Sequence, residues 1–218
     1  FEEVANSVYF DDAYMRRYMH GLALTSFIWP NHSQMRRFFI ETLPENASGR
    51  YLEIGPGHGF FFLEAMKRSS YDAFVGVDVS QTSIDLTRRI VERFFPNPRA
   101  RVELLMRDFL SAESLSGPYD AIVMGEVLEH VERPGDFLRR IVELSHGTTH
   151  IYVTTCVNAP AIDHIYHFRT CDEVEALFRD CGLVLRAARR IPYQDKTLAE
   201  CEAQRLAINV AYHLGLPA

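Results

Sequence analysis

Cysteine is scarce in this chain of 218 residues: the four, Cys156, Cys171, Cys181 and Cys201, contain no C-x-x-C pair. A chain this long can hold itself together without disulfide staples, so a disulfide scaffold is excluded and reduced thiols in a cytoplasmic setting are expected. Positive charge is short as well, with 23 Lys and Arg against 29 Asp and Glu and a formal net charge of −6. No basic field is available to draw in a phosphate backbone or an anionic membrane surface, which disfavours a nucleic-acid partner. The sequence has no apolar run long enough to span a bilayer, and its N-terminus lacks the basic flank and apolar core of a signal peptide. Linkers, internal repeats and low-complexity tracts are missing too. The chain opens on Phe1 rather than Met, which leaves room for preceding residues or a larger parent chain. The 47% of residues that are hydrophobic supply one substantial core and a small accessory element, and hence one main domain.

From Tyr51 onward, short β-rich runs alternate with longer stretches of helical period, the mark of parallel strands joined by crossover helices. Strands are expected over Tyr51–Ile54, Ala73–Asp78, Arg101–Leu105, Tyr119–Met124, His150–Thr155 and Leu183–Arg189, and helices over Gly59–Arg68, Gln81–Phe94, Pro134–Ser145 and Cys171–Cys181. Pro134 suits a first helical turn and Gly182 a helix exit. The order predicts an α/β, Rossmann-like, doubly wound sheet whose ligand crevice lies at the carboxyl ends of the strands. Thr197–Gly215 admits two readings: a short helix and a strand over Leu206–His213 that completes seven strands, or one continuous helix.

Residues 1–48 differ. Helical runs carrying Tyr9, Tyr14, Tyr18, Phe27, Trp29 and Phe38 break at Trp29-Pro30-Asn31. This segment is expected to pack over the crevice as an N-terminal helical lid on a main domain of residues 49–218, although packing alone accounts for most single aromatic residues.

The most informative stretch is Leu52-Glu53-Ile54-Gly55-Pro56-Gly57-His58-Gly59-Phe60. Three glycines at alternate positions remove the Cβ atoms that would block a sharp turn and the approach of a ligand. The pattern is G-x-G-x-G, not the dinucleotide G-x-G-x-x-G. Glu53, two places before the first glycine, suits a cationic group, directly or through water. Gly76-Val77-Asp78-Val79-Ser80 ends the second strand with a carboxylate fit to accept from ribose hydroxyls. Arg107-Asp108-Phe109 follows the third strand, and Tyr119–Glu126 is the fourth strand and its exit. With these four motifs in order, residues 48–190 closely resemble class I S-adenosylmethionine (SAM)-dependent methyltransferases. The resemblance implies SAM binding by Glu53, Gly55, Gly57, Gly59, Asp78, Val79, Asp108, Phe109, Gly125 and Glu126, with Asp108 reading the adenine amino group and Phe109 lying against the ring.

In Gly125-Glu126-Val127-Leu128-Glu129-His130-Val131-Glu132-Arg133-Pro134, one helical turn would bring Glu126, Glu129 and His130 to one face. His130 then suits a general base oriented by a carboxylate. The second reading is a divalent cation, Mg2+, Mn2+, Fe2+ or Zn2+, activating a substrate oxygen. Asp163-His164 follows the fifth strand on the same rim, with Tyr166 and His167 just beyond. The E-x-x-E-H stretch resembles that of ubiquinone-pathway O-methyltransferases. With the later D-H it also resembles the metal motif of small-RNA 2′-O-methyltransferases. By that resemblance Glu126, Glu129, His130 and His164 are candidate ligands. No basic RNA-binding extension accompanies them. The bland reading has the glutamates capping the next helix. His20, His32, His146, His150 and His213 read as surface or packing residues.

The expected function is methyl transfer to a small-molecule acceptor, favouring oxygen over nitrogen or carbon, with Tyr14, Tyr18, Tyr166 and His167 reading the acceptor. The rivals are a nucleotide-dependent oxidoreductase and a non-catalytic SAM-fold binding protein. The sequence is silent on oligomeric state.

Overall fold

The computed structural model describes residues 11–45 and 47–217, so Tyr9 lies outside the described residues. Seven strands form one sheet: β1 (Arg50–Ile54), β2 (Ala73–Asp78), β3 (Arg101–Met106), β4 (Tyr119–Gly125), β5 (Ser145–Val157), β6 (Val184–Pro192) and β7 (Ile208–Gly215), in the order β3-β2-β1-β4-β5-β7-β6. β7 runs antiparallel to both of its neighbours, and the pairs among β1 to β5 are parallel. The doubly wound sheet expected from the sequence is present. The open question at the C-terminal end is settled as a short helix followed by a strand.

Strand period 2 explains how the sheet buries both faces. Leu52 and Ile54 of β1 pack with Val75, Val77, Ile122, Met124, Ile151 and Val153 on one face. Tyr51 shares the other with Phe74, Ala121, Val123, Tyr152 and Ala211. The first face is covered by α5 (Pro134–Glu143) and α6 (Cys171–Asp180), through Leu138, Ile141, Val174 and Phe178. The second is covered by α3 (Phe60–Arg68) and α4 (Gln81–Phe94), through Phe62, Ala65 and Val91. Capping sets the helix starts: Ser80 accepts from the Ser83 amide for α4 and Thr170 from the Glu173 amide for α6. A reciprocal Thr197–Glu200 capping box opens α7 (Leu198–Gln204).

The N-terminal segment divides in two. α1 (Asp12–Ile28) and α2 (Pro30–Thr42) meet at Trp29, with Pro30 in the first turn of α2, as the break in the sequence predicts. α2 belongs to the core: Met35, Phe38, Phe39 and the following Leu43 are buried against the second sheet face, and the Tyr152 hydroxyl donates to the Met35 carbonyl at 2.8 Å. Buried Glu64 of α3 accepts from Arg36 of α2 at 2.6 Å and from Arg68 at 2.7 Å. α1 is the part that leaves the sheet and reaches over the strand ends. Because β1 sends its chain to α3 on one face and β4 sends its chain to α5 on the other, the crevice opens between those two strands.

Candidate active site

The turn after β1 is built from glycines in the left-handed region: φ is +66° at Gly55 and +55° at Gly57. A Cβ on Gly55 would stand 2.7 Å from a Val127 methyl, and one on Gly57 would stand 3.2 Å from the Met19 sulfur. Val127 and Met19 therefore bound the turn from the β4 exit and from α1. Gly59, expected to bind cofactor, has a packing task as well. It caps α3 at φ +79°, and a Cβ there would come within 3.0 Å of the Thr87 backbone, so its bareness lets α3 and α4 close on each other. His58 is half-buried beside these elements. Burial first, and His32 second, hold its imidazole down at about 4, so it is neutral.

Carboxylates surround the turn. Glu53, facing the same side of β1 as Tyr51, is 2% exposed and accepts from the Tyr51 hydroxyl. Burial pushes its carboxyl up to about 8, against the hydrogen bonds from Tyr51 and the Phe62 amide. Asp78 accepts from the Ser80 amide at 2.8 Å and from the Gly57 amide at 3.4 Å, with the Val79 amide also directed at it. Burial still raises it to about 6. Asp108 is exposed and accepts from the Leu110 amide at 3.0 Å. Phe109 departs from expectation. Its ring is 3% exposed and packs against Phe137 with centroids 5.5 Å apart, so it is a core residue beneath the loop and offers no open face to an adenine. Gly125 is bare for packing, since a Cβ there would meet the Phe61 ring at 2.6 Å.

At the exit of β4, Glu126 adopts φ +52°, a strained conformation for a side-chain-bearing residue. Its amide donates to the Thr154 carbonyl at 3.1 Å and hydroxyl at 3.0 Å, which hold it there. Its Oε1 is buried without a hydrogen-bond partner, and burial followed by the Glu129 charge raises the carboxyl to about 8. A 3-10 turn, Leu128–His130, comes next. Glu129 turns inward: its carboxylate accepts from the Thr155 hydroxyl at 2.8 Å and lies 3.8 Å from the Cys156 sulfur, while its carbonyl accepts from the amides of Ile165 and Tyr166. It clamps the loop after β5 onto the 3-10 turn. Burial raises it to about 7.

His130 Nδ1 lies 2.9 Å from the Asp163 carbonyl oxygen. A carbonyl only accepts, so Nδ1 carries the proton and Nε2 the lone pair. The His164 Nδ1 is likewise bonded to the Ala159 carbonyl at 2.5 Å, and the two rings sit edge to face with centroids 5.0 Å apart. The four expected ligands are thus not one set. Glu129, Cys156 and His164 form one group with ligand spacing, His130, Asp163 and His164 form another, and Glu126 stands in neither.

Of the expected acceptor-reading residues, Tyr14 and Tyr18 stack on α1 at 6.1 Å, and the Tyr18 hydroxyl donates to Asp163 Oδ2 at 2.7 Å. Tyr166 packs against the first core on Phe168, and exposed His167 bonds the His164 carbonyl. Asp163, Met19, Val127 and Thr154 carried no assignment in the sequence reading. Only Asp163 had a signal, its adjacency to His164 on the loop after β5.

The bare turn after β1, the carboxylate ending β2 and the acid- and imidazole-bearing exit of β4, on a sheet with one antiparallel strand at β7, define a class I SAM-dependent methyltransferase. The chain belongs to the methyltransferase domain family, which matches it over residues 30–202. It is an enzyme of that family, and this membership displaces the oxidoreductase and non-catalytic readings. Solved structures share the fold at low identity. The cyclopropane synthase MmaA2 from Mycobacterium tuberculosis is 13% identical with a TM-score of 0.64, covering 84% of each chain. Geranyl diphosphate C-methyltransferase from Streptomyces coelicolor A3(2), solved with Mg2+, geranyl diphosphate and S-adenosyl-L-homocysteine, is 13% identical at 0.64, covering 85% of this chain and 79% of that one. The [4+2]-cyclase SpnF is 14% identical at 0.67, covering 85% and 80%.

Proposed function

We propose that this protein transfers the methyl group of SAM to a small-molecule acceptor, through oxygen in the first instance, with His130 taking the acceptor's proton. The observation that carries the reading is the His130 hydrogen bond to the Asp163 carbonyl, which leaves the Nε2 lone pair as the basic atom at the end of β4. SAM supplies an activated methyl on its own leaving group, so the chain's task is alignment and proton removal. The residues fit such a cofactor. Glu53, Asp78 and Glu126 are carboxylates raised by burial, and among the described residues no Lys or Arg pairs with them, so a cation is the partner they lack. Gly55, Gly57, Val79 and Asp108 would line the nucleoside, with Glu53 toward the amino group and Asp78 on the ribose. α1 serves as the lid, where Tyr14 and Tyr18 read the acceptor. A net charge of −6 and four buried free cysteines favour a small metabolite in a cytoplasmic setting over a nucleic acid. No helix among the described residues is long and apolar enough to cross a membrane.

The test is S-adenosylhomocysteine formation from SAM with panels of hydroxylated, amine and carbon-acid acceptors. Turnover falling about a hundredfold or more in His130→Ala with SAM binding retained supports the base. Undiminished turnover removes His130 from that role. A second reading, a divalent cation held by His130, Asp163 and His164, rests on their ligand spacing. It requires activity lost to excess chelator and restored by Mg2+, Mn2+, Fe2+ or Zn2+. Full activity in chelator ends it.

A further inference from the structure

We infer that Asp163 is the positioning residue of this site, holding the His130 ring through its backbone carbonyl and fastening α1 over the crevice through its carboxylate, so that base and lid are set together. The inference rests on the reading of His130 as proton acceptor.

Asp163 is 4% exposed, in the loop that Glu129 clamps through the Ile165 and Tyr166 amides at 2.7 and 2.9 Å. Its backbone carbonyl fixes the Nδ1 proton of His130 at 2.9 Å, and its Oδ2 lies 3.6 Å from the same nitrogen. A buried carboxylate needs donors, and Asp163 obtains one from the Tyr18 hydroxyl at 2.7 Å. Tyr18 lies 145 residues away in sequence, on the helix whose Met19 sits over Gly57. Seating α1 therefore completes the hydrogen bonding of the carboxylate that faces the base.

The test follows the His130 ring by nitrogen-15 NMR in the whole chain, its signals assigned by their loss in His130→Gln. In the wild type, a ring protonated at Nδ1 is expected at high pH. Asp163→Asn keeps the backbone carbonyl, so the tautomer stays. Tyr18→Phe and Asp163→Ala are each expected to speed deuterium exchange of the α1 amides by roughly three- to tenfold, the loss of one buried hydrogen bond. Should Asp163→Ala fail to fold, Asp163→Asn and Tyr18→Phe carry the test alone. An Nε2-protonated ring in the wild type, or α1 exchange rates in Tyr18→Phe that coincide with the wild type, overturns the inference. Calorimetric titration with S-adenosylhomocysteine separates the two claims. Absent binding to the wild type would strike the methyl-transfer reading, while the ring signals would still report on Asp163.

Discussion

Binding of SAM is expected to expel protons, and the amount follows from two carboxyls. In the ligand-free protein Glu53 is raised to about 8 and Asp78 to about 6, in both cases chiefly by burial. At pH 7 Glu53 is then roughly nine-tenths protonated and Asp78 roughly one-tenth. An ammonium placed against Glu53, and ribose hydroxyls donating to Asp78, favour the ionised forms, so about one proton leaves per SAM bound at pH 7, and more toward pH 6. Affinity should rise up to about tenfold per pH unit for each proton expelled. The window closes near pH 7.5, where the ligand's own amino group begins to titrate at about 7.7–8.0. Calorimetry at pH 6.0, 6.5 and 7.0 in buffers of different ionisation enthalpy counts the protons directly. Glu53→Gln should abolish most of the release at pH 7 and leave the smaller Asp78 share. A binding enthalpy independent of buffer, together with a pH-flat dissociation constant, would refute both the raised carboxyls and their contact with the ligand. The same shifts act on folding. A carboxyl whose folded value is raised stabilises the fold fully below its unfolded value, and that stability is lost as pH rises through the folded one, so the ligand-free protein should melt lower at pH 8 than at pH 6.

Three further substitutions probe the architecture. Gly59→Ala forces a Cβ into a left-handed residue 3.0 Å from the Thr87 backbone and should cost about 2–4 kcal/mol in urea unfolding, with Gly21→Ala, which meets open space, as control. Glu129→Gln replaces a carboxyl raised to about 7 by a neutral group of the same shape. Its stability relative to wild type should therefore improve as pH rises from 6 to 8, read by thermal melts. Arg36→Ala removes one of the two cations that, against burial, hold Glu64 below its ordinary value. It should cost about 1–3 kcal/mol at pH 7, and the difference should vanish as the medium is acidified and Glu64 takes up its proton.

Most of the sheet was legible because its central strands are short apolar runs between turn residues and helices of clear period. What escaped has physical reasons. The first five residues of β5, Ser145–Thr149, have no apolar run, so the sequence ends a helix at Ser145 and starts the strand at His150, yet the strand is drawn out by pairing of Ser145 beside Tyr119. Ile208–Gly215 alternates poorly, since this interior strand has both faces covered, Ile208, Val210, Tyr212 and Leu214 by the first core and Ala211 by the second. α2 looked like part of a lid because its aromatics do not reveal which surface they meet. The glycine turn was legible as a turn, but Gly57 and Gly59 serve different neighbours, Met19 and Thr87, and spacing does not distinguish them. Phe109 sat at the expected position with its ring reversed into the core. Asp163 was legible only as the neighbour of His164, since its own partners, Tyr18 and His130, come from elements far apart in the chain.

The position of β7 bears on how the protein is made. β5 and β6 are not paired with each other; β5 holds β4 on one side, and its other side, like the inner side of β6, is met only by a segment that follows both. A nascent chain that has emerged only as far as Pro192 therefore presents two strand borders with unmet amide and carbonyl groups, the kind of surface that recruits stray polypeptide. Vectorial synthesis cannot finish this sheet in stages, and fusions or truncations that delay or remove residues 208–215 should shift the product toward aggregates.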